Sequence, residues 1–160
     1  MTRRLLLIAA LASLLSGCGF ALRGSVDLPD SLQQMSVTGD DLLLVDELKS
    51  ALKTSGVTIV DAGDPSASQL NLTLSDYDRQ VRTTDSDGLA TAYNLRYRVG
   101  YDVRTADGDE LQINQRLVQK RVLDYDPLLE LQSQEEEQFL REEMREELIL
   151  QMLRRLSRIQ

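Results

Sequence analysis

The chain contains no histidine and no tryptophan, a single cysteine, three prolines and only 4% aromatic residues. Each absence narrows what it can do. Without histidine there is no Ser-His-Asp or Cys-His catalysis, and the usual zinc sites are excluded. One cysteine cannot close an intrachain disulfide or hold a metal cluster, so stability has to come from packing. Paired carboxylates leave acid–base chemistry formally open, but no nucleophile motif accompanies them. Basic residues are in deficit, 18 against 26 acidic ones, for a net charge of −8. An acidic chain of this kind argues against nonspecific nucleic-acid binding, which needs a basic surface.

Long apolar runs are scarce too. The longest is Leu5 to Leu15, 11 residues behind Arg3 and Arg4. That suits the core of a signal peptide and falls short of the ~20 residues a spanning helix needs. Leu15-Ser16-Gly17-Cys18 then looks like a bacterial lipobox, with cleavage before Cys18 and lipidation of its thiol. An ordinary secretory signal with a chance cysteine, or a buried helix opening the domain, are the alternatives; the second lacks any polar face. Buried acyl chains contribute ~0.8 kcal/mol per methylene, so a diacylglycerol and an N-acyl chain on Cys18 would make attachment permanent. Gly19 is not the aspartate that enterobacteria-like sorting uses to retain lipoproteins at the inner membrane, so the periplasmic side of the outer membrane is the expected address. The expected division is residues 1–17 as signal peptide, 18–27 as lipidated tether and 28–160 as one domain.

Within that domain, Met35 and Val37 mark a short strand ended by Gly39-Asp40. Asp40 or Asp41 then caps a helix whose apolar face is Leu44, Val45, Leu48, Ala51 and Leu52, with Gly56 as its left-handed terminator. Val57 to Val60 is β-branched and is broken by Asp61 to Ser68. Leu70, Leu72 and Leu74 alternate with polar residues, and a polar loop at Thr83 to Gly88 suggests a hairpin end. The clearest strand follows: Leu95, Tyr97, Val99, Tyr101 and Val103 on one face, Arg96, Arg98, Asp102 and Arg104 on the other. Asp107-Gly108 turns it into a partner carrying Leu111, Ile113 and Leu117, where Val118 and Val122 suggest a phase-shifting bulge. Ser133 with Glu136 fits a capping box for a helix running to about Arg158. Its stripe is Leu140, Met144, Leu148, Met152 and Leu156, joined by Ile149, Leu153 and Ile159. The leucines are spread too broadly for a strict coiled-coil seam, so packing across a sheet is preferred. The expected fold is α+β, β-α-β-β-β-α, with a mixed sheet of roughly four strands and two helices on one face.

Cys18-Gly19-Phe20-Ala21-Leu22-Arg23-Gly24 resembles the mature start of the LptE family of lipopolysaccharide-assembly lipoproteins, whose recurring pattern is C-G-[aromatic]-x-L-R. Leu28-Pro29, Thr91-Ala92-Tyr93 and the long C-terminal helix extend the resemblance over nearly the whole mature chain. It implies a non-enzymatic component of lipopolysaccharide export with no cofactor beyond the lipid on Cys18. Family members sit in the lumen of the outer-membrane barrel LptD, one to one, as a plug that helps the barrel assemble, and they bind lipopolysaccharide.

Lipopolysaccharide is polyanionic, and a surface for it should present arginine or lysine to its phosphates. The candidates are Arg96 and Arg98 (with Arg104), Arg116, Lys120 and Arg121 on the partner strand, and Arg79 and Arg82 nearby. The competing reading is that these are solvated positions or ion pairs to Asp76, Asp78 and Asp102. The loops Asp85–Gly88 and Asp126–Gln134, where relatives can carry basic residues, are neutral or acidic here. The glutamate-rich start of the last helix reads as a metal or partner site, or as a solvated face with pairs such as Glu137–Arg141. An auxiliary lipid-binding lipoprotein, needing an apolar cavity, and a cell-wall enzyme, needing an acidic cleft, are the competing functions.

Overall fold

The computed structural model describes residues 26–159, so the lipobox, Cys18 and the start of the tether lie outside the described residues. A 3-10 turn at Asp30–Leu32, entered through Pro29, drives Leu32 fully into the core. There follow β1 (Gln34–Thr38), α1 (Leu42–Thr54), β2 (Thr58–Ile59), β3 (Ser68–Thr84), β4 (Ala90–Arg104), β5 (Glu110–Asp124), a 3-10 turn at Pro127–Leu129 and α2 (Glu130–Leu156). The sheet order is β2-β1-β3-β4-β5. β1 runs parallel to both β2 and β3, while β3–β4 and β4–β5 are antiparallel. The fold is thus a single α+β domain with a mixed sheet. It has five strands rather than about four, because the β-branched pair Thr58–Ile59 adds to the outer side of β1 before Gly63 and Pro65 break the chain.

Local chemistry accounts for α1. Asp41 accepts the Leu44 amide at 3.1 Å, and Gly56, at φ +86°, takes the left-handed conformation that ends the helix. Leu44, Leu48 and Leu52 are fully buried on one stripe, each contributing ~2–3 kcal/mol by removal from water. The start of α2 lies three residues before the expected capping box. Asp126 accepts the Leu128 amide at 2.9 Å and Pro127 presets the turn, so the chain is already helical at Glu130 and Ser133 is buried inside the helix. Further along, Met144, Leu148, Met152 and Leu156 are fully buried, with Ile149 and Leu153 beside them. Arg145 is buried as well and donates to Glu47 of α1 at 2.5 Å, joining the two helices across the same sheet face.

Two bulges set the faces of the long strands. In β3 the register slips between Leu72 and Leu74, opposite Gly100. A Cβ on Gly100 would lie 2.8 Å from the Thr73 hydroxyl oxygen and 3.0 Å from the Leu74 Cβ, so this close approach requires glycine. In β5 the bulge falls at Asn114, whose φ is +52° and whose amide donates to Asp102 Oδ1 at 2.6 Å. It precedes Leu117 rather than following it. Leu117 and Leu123 therefore stay on the buried side, and Val118 and Val122 lie on the open side at 46% and 44% exposure.

Candidate functional site

Strand alternation sorts the basic residues into two groups. On the open face, Arg98 faces Asp76 and Arg96 faces Asp78 across β3–β4, and Arg96 faces Lys120 across β4–β5. Arg96 grips Asp78 with two nitrogens, at 2.9 and 3.2 Å; Arg98 pairs with Asp76 and reaches Asp78 at 3.4 Å. The Arg96 hydrogen bond, more than the charge of Arg98, holds the Asp78 carboxyl below the ordinary carboxylate range, and Asp78 raises Arg96 in return. All four side chains are a quarter to two-fifths exposed, so solvent screens both pairs and their contribution to stability is small. Arg116 and Lys120, exposed on β5, enter no ion pair among the described residues. Lys120 and Arg96 line a shallow cavity of about 210 Å³ with Asp78, Gln80, Asn94 and Leu95.

On the helix side, Arg79 and Arg121 are bound to α2. Arg79 donates to Glu137 at 2.6 Å and lies 4.4 Å above the Tyr93 ring. Arg121 reaches Glu147 at 2.9 Å and Glu143 at 3.6 Å. Glu137 does not pair with Arg141 as the i,i+4 spacing suggests. It accepts from the Tyr77 hydroxyl at 2.7 Å as well as from Arg79, and Arg141 stacks over the Tyr77 ring at 4.6 Å. Burial, reinforced by the Glu137 hydrogen bond, pushes the Tyr77 hydroxyl far above its ordinary range. Arg82 sits at a register slip of β3 near the hairpin tip, exposed. Asp102, the third carboxylate expected to pair, caps the β5 bulge instead.

These contacts tie the glutamate-rich part of α2 to β3 and β5. Its inner carboxylates bind the sheet, and among the described residues no group of carboxylates is arranged to hold a metal. Between α1 and α2 there is an open groove of about 460 Å³, lined by Ala51, Ile149 and Leu150 together with Asp46, Glu47 and Glu146. No helix among the described residues is long and apolar enough to cross a membrane. The tie through Asp41, which accepts from Ser75 at 2.6 Å and from the Tyr97 hydroxyl at 3.4 Å, has no signal in the sequence beyond the cap itself.

Residues 29–156, nearly all of the described domain, match the LptE family, described as lipopolysaccharide-assembly. The chain belongs to the LptE family. A protein of Photorhabdus laumondii subsp. laumondii named LPS-assembly lipoprotein LptE is 30% identical over 96% of this chain and 85% of its own length. Its namesake in Yersinia enterocolitica is 31% identical over 96% of this chain and 75% of its own. The fold recurs in the solution NMR structure of uncharacterized lipoprotein B from Nitrosomonas europaea, with a TM-score of 0.73 and 25% identity over 87% of this chain and 90% of that one. The crystal structure of the rare lipoprotein B from Shewanella oneidensis is similar at a TM-score of 0.64 and 27% identity, covering 75% and 92%. In this LptE-family chain, then, the helix side of the sheet is closed by packing and ion pairs, and the open side presents Arg116 and Lys120 on β5 without carboxylate partners among the described residues.

Proposed function

We propose that this chain is a non-enzymatic, lipid-anchored component of lipopolysaccharide export. Cys18, acylated, holds it at the periplasmic side of the outer membrane. The domain forms a one-to-one complex with an LptD-type barrel, helps it assemble and plugs its lumen. The observation that carries this reading is the family match over residues 29–156, supported by relatives named LPS-assembly lipoprotein LptE. A disulfide-free domain held by packing suits a barrel with a polar interior.

The open sheet face is the surface for lipopolysaccharide phosphates in this proposal. Arg116 and Lys120 are its strongest elements, because no carboxylate among the described residues neutralises them. Arg96 and Arg98 contribute less, since each already satisfies an aspartate, and Arg82 extends the basic surface toward the hairpin tip. Arg79 and Arg121 act through α2, by holding that helix on the sheet. The test is lipopolysaccharide binding by the folded, unlipidated domain. Arg116→Glu with Lys120→Glu should weaken binding on the order of tenfold or more at low salt, as expected for losing and reversing two phosphate contacts. Arg96→Gln with Arg98→Gln should do less. Equal binding by all three proteins would sink the face assignment while leaving the barrel partnership to its own test.

A further inference from the structure

The sheet has two edges. One is β2, two residues long. The other is β5, 15 residues from Glu110 to Asp124, and among the described residues nothing pairs with its outer side. Alternate N–H and C=O groups along that side point away from β4 with no strand to receive them. Proteins usually blunt such an edge with proline, bulges, a covering element or charged side chains, lysine above all, which deter the pairing of like-charged edges. β5 contains no proline, and its bulge at Asn114 lies toward one end. From Gln115, opposite Tyr101, to Asp124, opposite Ala92, the register is unbroken. α2 lies on the inner face of this stretch, over Leu117 and Leu123, where Arg121 pairs with Glu143 and Glu147. Arg121 also donates to the Lys120 carbonyl at 3.0 Å, the one outer-edge backbone group with a side-chain partner between Gln115 and Asp124 among the described residues.

The side chains of the stretch say what fits there. Its open face reads Arg116, Val118, Lys120, Val122: cation and β-branched residue in alternation, the two valines nearly half exposed. β-branched side chains on a strand are stabilised by cross-strand neighbours, and opposite charges placed directly across add to the pairing. On a chain of net charge −8 this edge is a local reversal of sign, so an acidic segment is steered to it and repelled elsewhere.

We propose that the β5 edge accepts an extended strand of a second protein, added to the sheet by backbone hydrogen bonds, with carboxylates alternating with aliphatic residues on the face shared with Arg116 to Val122. This is the strand-addition mode of recognition, in which the backbone gives affinity and alternate side chains give selectivity. A second copy of this chain is the poorer occupant. Antiparallel pairing of two β5 strands about Val118 sets Arg116 opposite Lys120 twice, like charges that destabilise, and pairing about Gln119 sets each cation opposite a valine with no carboxylate to meet it. The inference shares Arg116 and Lys120 with the lipopolysaccharide reading but rests on the backbone edge of β5, which that reading does not use, so slowed β5 amide exchange tests it separately.

The test uses the mature lipoprotein in detergent and an acetylated, amidated peptide of Glu-Val repeats matched in length to Gln115–Asp124. Backbone amide exchange in that segment should slow when the peptide is added, while α1 amides stay unchanged. A Lys-Val peptide of equal length should bind on the order of tenfold more weakly, the scale expected for two cross-strand charge pairs. Arg116→Glu with Lys120→Glu, both exposed positions, should invert that preference. No slowing at β5 with millimolar Glu-Val peptide, or equal binding of the two peptides, overturns the proposal. So does a peptide-free dimer in sedimentation with β5 amides already protected, which would make the second copy the occupant.

Discussion

Replacing Asp41 by alanine tests how α1 is fastened to the sheet. The carboxylate caps the helix through the Leu44 amide at 3.1 Å, and its second oxygen accepts from Ser75 at 2.6 Å and from Tyr97 at 3.4 Å. Loss of an aspartate cap costs ~1 kcal/mol. The two hydroxyls lose an ionised acceptor, worth ~1.5–3 kcal/mol for a bond to a charged group. Ser75 and Tyr97 still face each other at 3.4 Å, so one partly satisfies the other. The sum for Asp41→Ala is about 2–3 kcal/mol, which lowers the urea midpoint of the unlipidated domain by roughly 0.7–3 M for slopes of ~1–3 kcal/mol per molar. An asparagine in its place would keep a capping oxygen, so Asp41→Asn should cost less than half as much at neutral pH. The pH dependence has a definite sign. Burial opposes the Asp41 charge, but the hydrogen bonds from Ser75, Leu44 and Tyr97 outweigh it and hold the carboxyl below its ordinary range. Its contribution is therefore fully present above the unfolded aspartate value of ~3.9 and disappears as pH falls through the lower folded value. The gap between wild type and Asp41→Asn should close over that acid window. An alanine cost below ~0.5 kcal/mol, the ordinary range for a surface change, would refute the fastening argument.

Other outcomes follow from the same structure. Leu148→Ala, at a fully buried position in the middle of the α2 stripe, should cost about 2–5 kcal/mol in chemical denaturation. Gly100→Ala should cost ~1–3 kcal/mol by overpacking, since the new methyl meets Thr73 and Leu74 at the β3 bulge; a neutral result would mean the bulge relaxes freely. Cys18→Ser should abolish incorporation of labelled palmitate in cells, whereas retained label would place the acylation elsewhere.

Much of the fold is legible wherever the signal is local. The alternation Leu95 to Val103 gives β4 outright, because one buried face demands period two. Asp41 and Gly56 bracket α1 by chemistry that involves only neighbouring residues. The readings that shift are those set by tertiary partners. Thr58–Ile59 is too short to declare itself and becomes a strand only beside β1. Ser133 with Glu136 has the letters of a capping box, yet Asp126 and Pro127 start the chain turning first. The Val118 and Val122 phase depends on where β5 bulges, and the Asp102 carboxylate that fixes this lies 12 residues away. The basic surface shows the same limit. Lys120 and Arg121 are adjacent in sequence but on opposite faces, and Glu137 chooses Tyr77 and Arg79, 60 and 58 residues distant, over Arg141 one turn along. Composition counts cations; only register decides which of them already hold a carboxylate.

The central claim is that this lipoprotein works as the partner and plug of an outer-membrane barrel. The measurement that tests it most directly is a detergent pull-down of the tagged, full-length lipoprotein from outer membranes, with mass spectrometry and stoichiometry of what comes with it. The account predicts a single large barrel at equal stoichiometry. Recovery of no barrel, with phospholipid or an inner-membrane transporter in its place, would contradict it.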